Sequence, residues 1–425
     1  MSKALFSRYD AIIMGGGPAG ASTGAILAEH GHRVVILERE KFPRYHIGES
    51  LIPFAYPPLD RLGLIPAMQL SSFQKKFSVA FVQPDGRQSR TFYFHQRYGT
   101  EPMATTWQVK RSEFDEMLLR NAARKGAEVR EQCAVTSLIR DADGTVTGVL
   151  AETPDGNGEE ISAPITIDAT GKEAFSSHRL GWRMAESRLN KVAVWSYYKG
   201  CDRGSSGDEG AATVAVISGK GWFWHLPMQD DMVSVGVVAE GKYLTRDGCR
   251  DPAQMLQREI AANPWMRSRL TNGRQVGVPR LTAEFSKHSK FGAAPGLLMV
   301  GDAFAFMDPV FSTGVMMALK SGVLAGDAVH EALQAGDCSP VRFTAYSDLM
   351  RESVENLRRL IYAFYAPDFS FAELITRFPE AADAVTACLA GDLNQDYSEL
   401  WACIREFAHL PEPLPYGAPL VPKSV

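Results

Sequence analysis

The sequence predicts an α/β fold in which a parallel, helix-covered sheet is interrupted by an inserted antiparallel sheet and followed by a helical C-terminal region. Three observations predict it. Short apolar runs and helical stretches dominate up to Asp168. Alternating, aromatic-rich segments take over from about residue 185 to 290. An apolar strand of the first kind then returns at Gly296-Leu-Leu-Met-Val300-Gly301-Asp302. The expected segmentation is 1–75, 100–185 and 285–330 for the discontinuous α/β domain, 76–99 and 186–284 for the inserted sheet, and 331–425 for the helical region.

The first strand, Ala11-Ile-Ile-Met14, ends in Gly15-Gly16-Gly17-Pro18-Ala19-Gly20, and Ala21 to Glu29 reads as a helix. This is the strand–turn–helix context of a dinucleotide fingerprint. Gly15 permits the tight turn, Gly17 lets backbone approach a pyrophosphate, and Gly20 lets helix pack on strand. Free N–H groups at the helix start favour phosphate. Val34-Val-Ile-Leu37 is a second buried strand, and it ends in Glu38, placed to accept hydrogen bonds from a ribose. The polar loop Lys41 to Leu51 follows, with Arg44, Glu49 and Ser50 near any cofactor bound there.

Residues 56–70 read as helical, Phe77 to Val82 and Ser89 to Phe94 as strands around Pro84-Asp85-Gly86. A helix is expected from Ser112 as N-cap, with Asp115 three residues on, to about Lys125 and the stop at Gly126. Strands are expected near 128–138, 145–152 and 160–168, the last meeting the turn Asp168-Ala-Thr-Gly171. Val192 to Lys199, Ala212 to Ile217, Trp222 to Pro227 and Met232 to Ala239 read as an antiparallel sheet with one face over a site. Asp251-Pro252 opens a helix to 263. Ser312-Thr313-Gly314-Val315 opens another near Met316, with a second set of free N–H groups. Tyr362, Phe364, Tyr365, Phe369 and Phe371 form an aromatic cluster, read as packing or as a pocket wall.

Composition narrows the function classes. The 425 residues carry a net charge of -4 with acids and bases mixed along the chain, which argues against nucleic acid. No apolar run reaches the roughly 18 residues of a membrane span. The N-terminus leads straight into the first strand, leaving no room for a signal peptide. The six cysteines are dispersed, so they read as reduced thiols of a cytoplasmic protein, with no metal site.

The glycine fingerprint, Asp168-Ala-Thr-Gly171 and Gly301-Asp302-Ala-Phe-Ala-Phe-Met-Asp308-Pro309 together resemble the FAD-dependent monooxygenase superfamily, whose FAD-binding domain is three-layered and Rossmann-like, of the p-hydroxybenzoate hydroxylase kind. The resemblance covers roughly residues 8–330. It implies that Asp302 contacts the ribityl chain and that Arg111 lies on the pyrophosphate side. Gly15, Gly17, Pro18, Ala19, Gly20, Glu38, Arg44, Ser50, Pro309, Gly314 and Val315 complete the implied FAD contacts.

Trp222-Phe-Trp224-His-Leu226-Pro227 resembles the WxWxIP motif of flavin-dependent halogenases, with Leu226 in place of isoleucine. Lys75-Lys76-Phe-Ser78 resembles their KxGxxF segment, with Ser78 in place of glycine, and aligns the catalytic lysine with Lys76 rather than Lys75. Thr313 and Gly314 match the halide-binding turn, and Trp222, Trp224 and Phe311 the tunnel. Phe311 stands where tryptophan-type halogenases carry glutamate, which points to the branch acting on phenols or pyrroles. His46 and His225 read as structural.

The resemblance implies the following chemistry. A separate flavin reductase supplies reduced FAD, since there is one dinucleotide fingerprint. Dioxygen gives a flavin C4a-hydroperoxide, and chloride or bromide held by Thr313 and Gly314 attacks it. The hypohalous acid reaches Lys76, which passes halogen to an electron-rich aromatic, free or tethered to an acyl or peptidyl carrier protein. The alternative is a flavin hydroxylase, or a flavoprotein reductase resembling geranylgeranyl reductases, on an apolar substrate. These share the FAD motifs and differ at Lys76 and the tryptophan pair, where Ser78 and Leu226 are the departures.

Overall fold

The computed structural model describes residues 9–88, 91–204, 208–217, 219, 221–283 and 286–420. A six-stranded sheet runs in the order Ala293–Ala294, Leu297–Met299, Ile165–Asp168, Ala11–Met14, Val34–Glu38, Glu128–Glu131. All neighbours are parallel except the outermost pair, 293–294 with 297–299. Its central strands are buried on both faces, which is why they read as continuous apolar runs.

Helix α1 (Pro18–Glu29) covers one face, between the sheet, α2 (Arg111–Arg124) and α3 (Gly314–Gln334). The other face carries a small antiparallel sheet of Ala134–Arg140, Val146–Glu152 and Gly158–Ser162. Val149, Ala151 and Ile161 of that sheet pack on Ile12, Met14, Val35 and Leu37. The result is the three-layered α/β arrangement expected from the motifs.

Two expected strands are each broken in two. The 128–138 run is interrupted at Gln132, whose φ is 57°, so its halves join different sheets. The 160–168 run breaks at Ala163-Pro164, where proline has no N–H to give a ladder. The 56–70 segment forms two short helices, Tyr56–Arg61 and Ile65–Leu70, separated by Gly63 at φ 73°. Of the expected 89–94 strand, Phe92–Tyr93 is extended, and residues 89 and 90 lie outside the described residues.

A seven-stranded sheet has the order Arg274–Ala283, Val192–Lys199, Met232–Ala239, Gly221–Pro227, Ala212–Ile217, Ser78–Val82, Phe92–Tyr93. It is mixed rather than antiparallel. The Ser78–Val82 strand comes from a distant part of the chain and pairs parallel to Ala212–Ile217. The ten-residue edge strand Arg274–Ala283 was not legible in the sequence, because it contains Gly277 and Pro279 and is mostly exposed. Alternation then sorts the side chains. Trp195, Trp222, Trp224 and Leu226 face the α/β domain, whereas Val194, Phe223 and Val235 pack beneath the helix Pro252–Ala262.

Helix α2 begins at Arg111 with Lys110 at the cap and no side-chain cap bond, so Ser112 is not the N-cap. Asp115 instead pairs with two buried guanidiniums, a stronger demand on a buried carboxylate than an exposed helix end. The C-terminal region contains α4 (Thr344–Phe364) and three shorter helices, and residues 408–420 form neither helix nor strand. Among the described residues no helix is long and apolar enough to cross a membrane.

Candidate active site

One cavity of about 640 Å³ joins the glycine turn to the inner face of the seven-stranded sheet. Gly15, Gly17, Pro18, Ala19 and Glu38 line one end, and Lys76, Trp222, Trp224 and Phe311 the other. The glycines divide the work. A Cβ on Gly20 would lie 2.0 Å from the Gly15 carbonyl oxygen, so this residue allows helix to meet strand and does not line the cavity. A Cβ on Gly17 would point into open space, with only Arg44 Nη2 at 3.5 Å, so this residue leaves an approach free above the N-terminus of α1. No side chain caps that helix end.

Glu38 is fixed by the N–H groups of Gly16 (2.7 Å) and Glu40 (2.8 Å), one on each carboxylate oxygen. Arg44 and Arg111 share Asp115. Arg44 donates to it at 3.0 Å and Arg111 grips it at 2.7 and 2.9 Å. Arg111 also donates to the carbonyls of Ile47 (2.6 Å) and Gly48 (3.3 Å), so it fastens the 44–50 loop along the cavity wall. Asp302 accepts no hydrogen bond from any described residue and lines the cavity; burial pushes its carboxyl up to about 6 against the pull of Lys172 and Arg111.

The turn before α3 is held from both sides. Asp308 Oδ1 accepts from the Val310 N–H at 3.1 Å, and its Oδ2 from Tyr365 OH at 2.8 Å, while Trp222 Nε1 donates to that phenol at 2.9 Å. Burial raises Asp308 to about 6. Ser312 adopts φ 57°, which turns the chain into the helix. The N–H groups of Thr313 and Gly314 find no acceptor among the described residues. Gly314, Val315 and Pro309 line the cavity, with Thr313 buried beside them. Phe311 packs on Phe364 (5.7 Å) and Phe371 (6.1 Å), so these two aromatics support the wall from behind.

Lys76 is 1% exposed. It ends the short strand Gln74–Lys76, which pairs with Thr106–Gln108, and its Nζ donates to Ser50 Oγ and to the Leu51 carbonyl, both at 2.9 Å. No carboxylate pairs with it among the described residues. Burial pushes the amine down to about 7, opposed only by the charge of Asp208. Ser78, the departure noted in the sequence, donates to Asp208 at 2.6 Å and so holds that carboxylate. Lys75, by contrast, is exposed.

Trp222 and Trp224 lie 5.9 Å apart, and Trp195 extends the row at 6.3 Å from Trp224. Gly236 sits directly across from Trp224 and makes room for it: a Cβ there would lie 2.2 Å from the indole. Gly236→Ala is therefore expected to cost about 1–3 kcal/mol and to change the tryptophan fluorescence, measured by denaturant titration.

The sequence reading missed Trp195, Tyr45 and Tyr197, which form a hydrogen-bonded row whose last member, Tyr197, reaches Glu49. No motif marks them, because the contact joins a loop to a strand about 150 residues away. His46 lines the cavity and His225 lies on the opposite face of the sheet; burial lowers both to about 4.

A cofactor-sized cavity spanning a dinucleotide turn and an indole-walled chamber with a buried lysine defines a flavoprotein oxidoreductase of the halogenase class. The chain belongs to the tryptophan halogenase family, whose family model matches residues 10–102 and 87–373; it is an enzyme that uses FAD and a halide to halogenate an aromatic compound. It is 32% identical over 389 residues to the 1H-pyrrole-2-carbonyl-(peptidyl-carrier protein) brominase of Pseudoalteromonas luteoviolacea, over 91% of this chain and 92% of that protein. It is 26% identical over 389 residues to the corresponding chlorinase of Pseudomonas fluorescens, over 86% of each. The solved structure of the flavin-dependent brominase Bmp2 superposes with a TM-score of 0.84 at 29% identity, covering 94% of this chain and 97% of that one.

Proposed function

We propose that this halogenase acts on a phenol or pyrrole, and that Lys76 carries the oxidant to it. The observation that carries the reading is a lysine 1% exposed, without an ion-pair partner among the described residues, in the same cavity as the glycine turn and the tryptophan row. The residues at the other end fit FAD. Gly17 and the start of α1 leave room and free N–H groups for a pyrophosphate, with Arg44 beside them. Glu38 offers its remaining lone pairs to a ribose, and Asp302, which accepts no hydrogen bond among the described residues, accepts from ribityl hydroxyls. Ser50, Arg111, Pro309, Gly314 and Val315 complete the wall. Bound in its reduced form, FAD supplies with dioxygen the oxidising power that converts halide to hypohalous acid.

The chain's own residues do the rest. The Thr313 and Gly314 N–H groups hold the halide. Trp222, Trp224 and Phe311 exclude water and keep bulky rings from the cofactor, so only a small oxidant crosses. Neutral Lys76 has two N–H bonds, already directed at Ser50 and Leu51, which leaves its lone pair free. That lone pair attacks the halogen of hypohalous acid; an N–halogen bond forms and water leaves. The aromatic carbon then takes the halogen, and its proton returns to the amine. Phe311 offers no carboxylate base, so the substrate ring has to be activated by its own hydroxyl or nitrogen. The pyrrole carried by the relatives' carrier protein supports a tethered pyrrole here. A separate reductase supplies reduced FAD, and the enzyme works in the cytoplasm.

Product formation is expected to rise with pH through about 7, because the amine acts unprotonated and its conjugate acid is held down there. The same group makes stability rise with pH between about 7 and about 10.4, since the unfolded lysine keeps its proton in that window and the folded one does not. Lys76→Met should flatten both slopes. The substrate assignment is tested by mass spectrometry of products from free phenols and carrier-bound pyrroles, with a flavin reductase and bromide. Oxygenated but unbrominated products would overturn it.

A further inference from the structure

Glu49 is a cavity-lining acid from which a chain of phenols leads outward. It is 3% exposed and pairs with no cation among the described residues. Tyr197 OH donates to its Oε1 at 2.6 Å. Trp195 Nε1 donates to Tyr45 OH at 2.7 Å, which leaves the Tyr45 hydroxyl proton to point at Tyr197 OH, 2.9 Å away. The three donors therefore run in one direction, indole to phenol to phenol to carboxylate. Tyr45 is 40% exposed.

The chain of bonds answers a requirement of the reaction. One halide ion, one dioxygen, two electrons and three protons give one hypohalous acid and one water. A two-electron donor brings at most two of those protons, so at least one has to reach the cavity from outside it in every turnover. We propose that Tyr45, Tyr197 and Glu49 are the route by which that proton enters, Glu49 being the group that delivers it inside the cavity. Glu49 passes its proton inward and regains one from Tyr197, which is refilled from Tyr45 and then from water. The inference rests on halide oxidation in this cavity and is independent of what Lys76 does afterwards.

Other buried acids do not suit this task. Asp115 is neutralised by two guanidiniums, and Glu38 is held by the Gly16 and Glu40 N–H groups with no hydroxyl chain leading from it among the described residues. Asp308 also has a phenol–indole chain, but it ends at Trp222, which is 2% exposed. The ionisable groups facing Glu49 are Tyr197 from its strand, Arg111 from α2, and, beyond Tyr197, Tyr45 with Arg280 stacked 3.8 Å over its ring. Burial outweighs Tyr197, the N–H groups of Glu49 and Gly48, and Arg111, and holds the Glu49 carboxyl above the usual carboxylate range, so it is available as an acid.

Two measurements test the route. In the cofactor-free protein, infrared pH-difference spectra should show, beside the raised carboxyls of Asp302 and Asp308, a further protonated-carboxyl band that titrates above the usual range, shifts in Tyr197→Phe and is lost in Glu49→Gln. In the reconstituted enzyme with reductase and bromide, Tyr197→Phe removes only the hydroxyl. It should slow formation of oxidant, read with a soluble trap, by at least about tenfold, with the deficit deepening as pH rises and FAD affinity unchanged. A Tyr197→Phe rate equal to that of the native protein at every pH, or a difference spectrum without the band, would overturn the proposal.

Discussion

Lys76→Met is expected to lower halogenated product by about 100-fold or more, while halide-dependent oxidation of a soluble trap continues. The argument is geometric. Lys76 lies in the same cavity as the Thr313–Gly314 turn proposed to hold halide but on a separate strand, so oxidant can form without it. What the lysine adds is position. A diffusing hypohalous acid reacts with whatever it meets, whereas an N–halogen anchored by its one remaining N–H beside Ser50 and Leu51 presents one atom from one place. Methionine fills much of the same volume without leaving a buried ammonium, which keeps the fold. Loss of both product and trap oxidation together would mean that Lys76 serves the cofactor end, contrary to this account.

Gly20→Ala and Gly17→Ala are expected to fail in opposite ways. The new Cβ at position 20 would meet the Gly15 carbonyl at 2.0 Å and Ala169 Cβ at 3.1 Å. The nearer neighbour is backbone and cannot swing aside, so α1 would be pushed off the sheet, costing about 3 kcal/mol or more, with FAD binding lost. Gly17 has φ −69°, which alanine adopts without strain. Its substitution should change the stability of the cofactor-free protein by less than about 1 kcal/mol, yet weaken FAD binding about 100-fold, since the methyl occupies the pyrophosphate's approach. Thermal melts with and without FAD separate the two.

Much of this was legible in the sequence because its carriers are local. Gly15 to Gly20 is a single turn, Trp222 and Trp224 share one strand face, and Ser312 to Val315 is one helix start. Contacts between distant segments were not legible. Asp115 looked like a capping residue until Arg44 arrived from 71 positions away. Tyr45 and Tyr197 carry no motif and gain meaning only where the loop lies on the sheet. The parallel pairing of Ser78–Val82 with Ala212–Ile217 was hidden for the same reason, since alternation gives a strand its faces and not its neighbour's direction.

The most direct test of Lys76 as oxidant carrier is peptide mass spectrometry after a single turnover with reduced FAD, dioxygen and bromide but no aromatic substrate. This account predicts one bromine in place of hydrogen on the Lys76 peptide, seen as an isotope doublet, and its disappearance when substrate is added. An unmodified Lys76 peptide, with product formed equally well by Lys76→Met, would contradict it.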